Sequence, residues 1–235
     1  MGRPSDTVVR RARRGEERRV AEYSACGRYR WRLRITWDPE RPLVRFVGLN
    51  PSTATERADD ATVRRCKAYA RAWGFGGVVM TNLFAWRSRD PRALRRTPDP
   101  IGTRNSLRFL RRAGGHSVVA AWGNGGRHLG RGAALRAACP DLLALGLTRL
   151  GEPAHPLYQP AASRPWPLES APPLSGRARA GTRGSSEPRR RDRASSAARG
   201  AAAAPPACAA GSPGRRPTGR SRTPGSRRSP GSPAS

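Results

Sequence analysis

The sequence contains a single lysine, Lys67, few acidic residues and no long apolar run. Because a helix needs about 18 or more consecutive apolar residues to cross a bilayer, and the first residues lack the apolar core of a signal peptide, we expect a cytoplasmic protein without membrane contact. The four cysteines form no Cys-x-x-Cys pair, which excludes the common zinc motifs and a disulfide framework. Cys66 and Cys139 fall in predicted helices and are expected to be buried thiols. The sequence therefore predicts neither a metal site nor a cofactor.

Arginine is far more frequent in the chain than lysine or the acidic residues. Lysine and arginine together number 46 against 16 acidic residues, which gives a formal net charge of +30. A field of this sign attracts polyanions, and the resulting affinity falls steeply as salt is added. DNA or a nucleotide is therefore the expected class of partner. A coding sequence rich in G and C would also favour arginine over lysine, so the charge indicates a class of partner rather than specificity.

The distribution of apolar residues divides the chain into three parts. Residues 1–20 are predicted to be a basic flexible arm, and residues 21–166 an α/β domain. Residues 167–235 consist mainly of Arg, Pro, Gly, Ser and Ala. So little apolar surface cannot offset the entropy lost when a backbone is ordered. We expect this last part to be a disordered tail, or the translation of a shifted frame in GC-rich DNA.

Strand and helix patterns alternate within the predicted domain. Residues 29–37 alternate apolar and polar side chains as a half-buried strand does. The later apolar runs are separated by helical patterns that begin near Asp59 or Asp60, near Thr103 and near Arg127. This alternation is typical of a parallel sheet covered on both faces. We predict a three-layer α/β/α fold in which an antiparallel N-terminal strand precedes a central four-stranded parallel sheet, with strands at residues 43–49, 78–84, 117–122 and 142–147.

Polar residues lie at the predicted carboxyl ends of these strands, where open α/β sheets place their sites. Asn50 could orient a water molecule, or it could simply form a turn with Pro51. Asn82 could offer a donor and an acceptor to the edge of a nucleobase, or a neighbouring loop could satisfy its amide. His155 could stabilise an anion or transfer a proton, or it could lie on the surface without a role.

The glycine-rich segment 123–126 stands before a predicted helix, where backbone N–H groups can bind anions. It fails the dinucleotide-binding fingerprint because His128 occupies the position of the third glycine, and it lacks the ending of a P-loop. A tight strand-to-helix turn is the better interpretation. Trp86 and Trp122 fall at strand ends, where an indole could stack on a base, although packing is commoner.

Several blocks of sequence resemble a known bacterial family when they are taken in order. The blocks are Phe46–Ala54, Asp60–Cys66, Asn82–Arg87, Ala121–Gly123 and His155–Tyr158. Together they resemble the domain-of-unknown-function 1643 family over residues 21–166. That family name brings no established activity.

The same order of blocks is similar, more distantly, to the uracil-DNA glycosylase superfamily, whose fold is a four-stranded parallel α/β/α sandwich. Residues 48–51, Gly-Leu-Asn-Pro, resemble the motif of the mismatch-specific branch whose Asn positions the attacking water. Thr81-Asn82 resembles the strand whose Asn reads a pyrimidine edge, and 118–123 the strand-to-glycine turn. His155-Pro156 resembles the closing motif, whose His supports the departing base. The chain departs from the pattern at Leu157, where serine is typical, and it lacks the four-cysteine iron–sulfur motif.

The resemblance implies catalytic roles for Asn50 and His155. Phe84 or Trp86 would hold a flipped base. Substrate-binding roles are predicted for seven residues, namely Pro51, Ser52, Asn82, Phe84, Trp86, Gly123 and Tyr158. Three functions stay open on this basis. They are hydrolysis of an N-glycosidic bond in DNA or a nucleotide, non-catalytic binding of a nucleic acid or nucleotide, and binding of a small metabolite by a protein whose charge reflects genome composition.

Overall fold

The computed structural model describes residues 7–111 and 117–173. In these residues eight strands form one sheet, accompanied by three α-helices. None of the described helices has the length and apolar character that a membrane crossing requires. The strands are β1 Thr7–Arg14, β2 Glu17–Ser24, β3 Arg30–Thr36, β4 Leu43–Gly48, β5 Gly77–Asn82, β6 Ser117–Ala120, β7 Leu143–Ala144 and β8 Trp166–Pro167, and the helices are α1 Ala61–Ala72, α2 Leu107–Arg111 and α3 Arg131–Ala138.

The sheet is mixed, and its strand order is β1-β2-β3-β5-β4-β6-β7-β8. Strand β4 pairs in parallel with β5 on one side and with β6 on the other, and β6 pairs in parallel with β7. Strand β3 runs antiparallel to β5. The predicted α/β class is confirmed. The sheet has eight described strands, however, where the sequence predicted five.

Residues 7–20 differ most from expectation, because they are not a flexible arm. They form β1 and the first half of β2, which pair as an antiparallel hairpin through a two-residue turn, Gly15-Glu16. Gly15 has φ +58°, a conformation that favours glycine and that tight hairpin turns require. Strand β2 buries Glu17 and Arg19 along with apolar residues. Charged side chains at inward positions concealed the alternating pattern of this strand.

The ordered chain also continues past Trp166, where the sequence placed the end of the domain. Strand β8 pairs antiparallel with β7, and Leu168 and Ala171 beyond it are buried. The predicted tail is therefore wrong for residues 167–173. The remainder of that prediction, residues 174–235, lies outside the described residues.

Helix α1 begins and ends at residues that the sequence marks. The Asp60 carboxylate caps it by accepting a hydrogen bond from the Val63 N–H, with an N···O distance of 2.8 Å, which satisfies one of the donors left free at a helix start. Cys66 and Tyr69 lie on its buried face. Gly74, at φ +84°, follows its end. The other two predicted helices begin later than expected, since α2 begins at Leu107 and 3-10 turns at 123–130 precede α3.

The sheet has an apolar core on each face. Phe46 and Met80 point toward α1 and join its buried residues in one cluster. Val47 and Leu83 belong to a second cluster, which includes residues of α2 and α3. Because successive side chains on a strand point to opposite faces, Gly48 and Asn82 fall on the α1 face.

Candidate functional site

Asn82 ends β5, and its side chain is almost fully buried at 6% exposure. Its amide Nδ2 is enclosed and has no hydrogen-bond partner. A Cβ atom added at Gly48, the residue opposite on β4, would lie 2.8 Å from Asn82 Oδ1. The side chain therefore lies across the end of β4. An enclosed N–H₂ without an acceptor is costly in a folded protein, and it can be satisfied by a carbonyl oxygen of a ligand.

The Asn50 side chain is held by its own donors. Nδ2 donates to the Ser88 carbonyl at 2.8 Å and to the Pro51 carbonyl at 3.2 Å. The Pro51 carbonyl also accepts the backbone N–H of Ser88 at 2.9 Å, so the loop after β4 is fixed to the loop after β5. With both amide protons engaged, Oδ1 is left as an oriented acceptor. Such an oxygen can hold a water molecule by one of its protons.

His155 lies after β7, where it caps a 3-10 turn. Its Nδ1 accepts the Leu157 N–H at 3.3 Å. Burial lowers the pKa of His155, and the nearby Asp60 carboxylate offsets this only in part. The imidazole is therefore neutral at pH 7. Because Nδ1 accepts a hydrogen bond, the proton resides on Nε2, which can donate to an anion. Tyr158 lies beside this ring, with its centroid 5.7 Å away and its side chain 77% exposed.

Ser52 and Trp86 lie together along a groove next to Asn50. The groove has a volume of about 410 Å³, and its lining includes the Asn50 partner Ser88. Trp86 contacts the Tyr29 ring edge-on at 5.3 Å, so its indole is only partly available. We call this the Ser52 groove, and it is lined by Gly27, Arg28, Ser52, Thr53, Trp86, Arg87, Ser88 and Arg89.

Two of the predicted ligand contacts lie elsewhere. Phe84 is fully buried on the opposite face of the sheet, where its ring packs 5.3 Å from that of His128. In this position it cannot hold a base beside Asn82. Gly123, at φ +63°, donates its N–H to the Pro153 carbonyl at 2.8 Å. It forms the tight turn expected of residues 123–126 and connects the loops that follow β6 and β7.

The predicted residues share one end of the sheet but not one hydrogen-bond network. Asn50, Asn82 and His155 all follow or end strands at the carboxyl edge. Within the described residues no hydrogen bond joins Asn50 to Asn82 or to His155. The Asp60 carboxylate links His155 to the loop after β4. It interacts electrostatically with His155 and accepts a hydrogen bond from the Ala54 N–H at 3.4 Å. No group of three His, Cys, Asp or Glu residues suited to a metal ion occurs in the described part of the chain.

A family model described as a protein of unknown function, DUF1643, matches residues 30–157. The chain belongs to this family. Comparisons with curated proteins and with solved structures gave no match. The DUF1643 match begins at β3 and ends beside His155, so it includes Asn50 and Asn82 and leaves out the β1–β2 hairpin.

The DUF1643 domain also contains a larger cavity that the sequence did not indicate. Its volume is about 810 Å³, and it opens at the carboxyl edge on the face of the sheet opposite α1. The lining comes from loops far apart in sequence, which is why no local motif revealed it. We call it the arginine cavity, and it is lined by Leu49, Pro91, Arg92, Leu94, Arg95, Arg96, Asn124, Gly125, Arg127, His128 and Leu150.

Proposed function

We propose that the protein binds a nucleobase at the carboxyl edge on the α1 face and hydrolyses the N-glycosidic bond that attaches it. The buried amide of Asn82 carries this proposal. Its Nδ2 has no partner, and a carbonyl oxygen of a pyrimidine or of hypoxanthine is an acceptor of the right kind. The likeness of 48–51, Asn82 and His155-Pro156 to glycosylase motifs supports the same interpretation.

Asn50 would orient the attacking water. Its amide is fixed by bonds to Ser88 and Pro51, so Oδ1 can accept one proton of a water without rearranging. An amide cannot remove that proton, because it is not a base at neutral pH. The chemistry therefore relies on departure of the base. Water oxygen adds to C1′, its proton passes to solvent, and the electron pair of the C1′–N bond leaves with the base.

His155 would stabilise the departing base as an anion. A neutral imidazole with its proton on Nε2 can donate a hydrogen bond to an oxygen of that anion without giving up the proton. The lowered pKa of His155 keeps this form populated below pH 6.5, the ordinary value for histidine. Base release is therefore expected to persist at pH 6.5 and to fall as the pH drops through the lowered pKa.

The test is release of free base by the purified full chain from uracil- and hypoxanthine-containing DNA and from the corresponding nucleotides. Asn50→Ala and His155→Ala are each expected to lower the rate about 100-fold or more, as loss of a transition-state contact does. Thr103→Ala, at an exposed position before α2, serves as the control and should retain the rate. If the unaltered chain releases no base from any of these substrates between pH 5 and 9, the hydrolytic function is wrong.

Non-catalytic binding of nucleic acid is the second candidate. The Ser52 groove favours it, because Arg28, Arg87 and Arg89 line that groove beside Asn50, and none of its described lining residues has a carboxylate to activate water. This function predicts DNA binding that weakens steeply with salt. Binding would survive both Asn50→Ala and His155→Ala, whereas DNA binding without dependence on salt would contradict it.

A further inference from the structure

We propose that the arginine cavity is a binding site for a small organic phosphate, separate from the nucleobase site. It lies on the opposite face of the sheet, so it does not depend on the glycosidic chemistry. Four arginines line it, and its volume of about 810 Å³ falls within the range of small-molecule sites.

The charge in this cavity is mostly uncompensated. Arg96 pairs with Asp90 at 3.1 Å. The guanidinium groups of Arg92, Arg95 and Arg127 make no ion pair or hydrogen bond within the described part of the chain. Arg92 and Arg95 lie on the 3-10 turn Pro91–Arg95, which the buried side chain of Leu94 anchors, and Arg96 follows directly as its C-cap. Guanidinium groups held on one turn favour a compact multivalent anion, and a phosphate accepts several such donors at once.

His128 supplies a second indication of a ligand. Its Nε2 is enclosed and has no partner in the structure, while its ring packs on Phe84. The residue that follows, Leu129, has φ +52°, a conformation that L-residues other than Asn and Asp seldom adopt. Strain of this kind tends to occur where backbone geometry serves a site. A phosphate oxygen can satisfy the orphaned nitrogen.

Apolar side chains also line the cavity, which is why we infer an organic phosphate rather than a free anion. Leu49, Leu94 and Leu150 contribute apolar surface beside the arginines. Leu49 packs closely on Gly125, another lining residue, since a Cβ at Gly125 would lie 2.5 Å from its Cδ2. A ligand with a phosphate and an apolar body uses both parts of the lining. A nucleic-acid backbone would use only the arginines.

The experiment compares three probes by ligand-observed NMR with the full chain in 0.15 M salt, where exposed charges are screened. The probes are phenyl phosphate, inorganic phosphate and phenol. Phenyl phosphate is expected to bind at least tenfold more tightly than either of the others. Equal binding of phenyl phosphate and inorganic phosphate would overturn the organic part of the proposal. Absence of phenyl phosphate binding would overturn all of it.

Variants locate the binding. Arg92→Gln with Arg95→Gln is expected to weaken phenyl phosphate binding at least tenfold. Arg108→Gln with Arg111→Gln removes the same charge from exposed positions on α2 and should change the affinity less than twofold. Equal losses in the two double variants would show attraction by net charge alone and would contradict a site. His128→Phe keeps a ring on Phe84 and should still fold, yet it is expected to lose threefold or more in affinity.

Discussion

At the scale of single residues, the Gly48–Asn82 contact is where packing and the candidate site coincide. Gly48 does not have the positive φ that favours glycine elsewhere in the chain. Its requirement is space, because an ideal Cβ would lie 2.8 Å from Asn82 Oδ1. Real Cβ atoms are essentially never so close to an oxygen. The absence of one methyl group at the end of β4 thus allows the amide to lie at the sheet edge.

Gly48→Ala is expected to lower the free energy of unfolding by about 1–3 kcal/mol, the usual cost of forcing extra volume against packed neighbours. It should also weaken any ligand that contacts the Asn82 amide. Urea denaturation measures the first effect.

The matched test repeats the substitution in an Asn82→Ala background, where the clashing oxygen is gone. There the cost of Gly48→Ala should fall by at least about 1 kcal/mol, as coupled neighbours require. The same cost in both backgrounds would mean that this contact is not the origin of the loss.

At the scale of elements, a buried group of charges holds β2 against α1. The Arg19 side chain is fully buried, and it contacts Glu17 at 2.8 Å and Asp59 at 2.5 Å. Lys67 on α1 reaches the same two carboxylates, at 2.5 and 2.8 Å. Each charge therefore has partners of opposite sign. Removing Arg19 leaves two buried carboxylates with Lys67 as their shared cation, so one buried charge loses its compensation, which costs more than the intact group contributes.

Arg19→Met is therefore expected to destabilise the protein by about 3–5 kcal/mol, the cost of breaking a buried ion pair from one side. Arg18→Met is the control, because Arg18 is exposed on the same strand and should change stability by no more than about 0.5 kcal/mol. Equal effects in urea denaturation would contradict the role given to the buried pairs.

A fall in pH should weaken the ion pairs that Glu17 and Asp59 form with Arg19 and Lys67. Burial by itself would raise the pKa values of Glu17 and Asp59, but hydrogen bonds and charges from Arg19 and Lys67 outweigh it and lower both. A lowered pKa in the folded state contributes stability above the unfolded values of 4.5 and 3.8. We expect the free energy of unfolding to decline as the pH falls from about 5, and to decline less in Arg19→Met, where part of the depression is gone.

At the scale of the whole molecule, the stable unit extends beyond the matched family region. The DUF1643 match spans residues 30–157, yet β1, β2 and β8 lie outside it and belong to the same sheet. The inward side chains of β2, including Ala21 and Tyr23, are part of the core on the α1 face. A chain cut at the limits of the family match would lose these contacts.

Deletion of residues 1–20 is expected to lower the melting temperature by roughly 6–12 °C, since a loss of about 3 kcal/mol shifts a protein of this size by that amount. Deletion of residues 1–14 removes β1 but keeps Glu17 and Arg19, and it should have a clearly smaller effect. Differential scanning fluorimetry distinguishes the two. Equal decreases in melting temperature for the two deletions would mean that β1, and not Glu17 and Arg19, provides the stability that is lost.

The sequence predicted the features that rest on apolar periodicity and local chemistry. The α/β class, the Asp60 cap and the burial of Cys66 and Cys139 agree with the structure. The hairpin was missed because β1 is exposed on both sides and β2 directs Glu17 and Arg19 inward. The glycine at the first position of the two-residue turn, Gly15, was the local signal that could have found it.

The candidate site was predictable only in part. The positions of Asn50, Asn82 and His155 at strand ends follow from strand–helix alternation and from the resemblance to known motifs. The face of the sheet on which a side chain lies depends on the exact residue at which its strand ends. Strand β5 ends at Asn82, so the alternation of faces does not continue to Phe84, which packs on the opposite face. The arginine cavity depends on loops after β4, β5, β6 and β7 meeting in space, and no pattern along the chain encodes that meeting.

Strand β1 is an outer edge of the sheet, and its residues Arg10, Arg11, Arg13 and Arg14 are exposed there. None of the described strands pairs with the outer side of β1, and an edge of this kind offers backbone groups to an extended chain. If a second copy of β1 paired with it in parallel and in register, each arginine would oppose its own copy, and like charges across a strand pair are destabilising. Growth of the sheet by self-addition is thus opposed by the sequence of the edge itself. A strand rich in aspartate or glutamate would meet no such repulsion, so we expect the charge of this edge to favour acidic strands over basic ones.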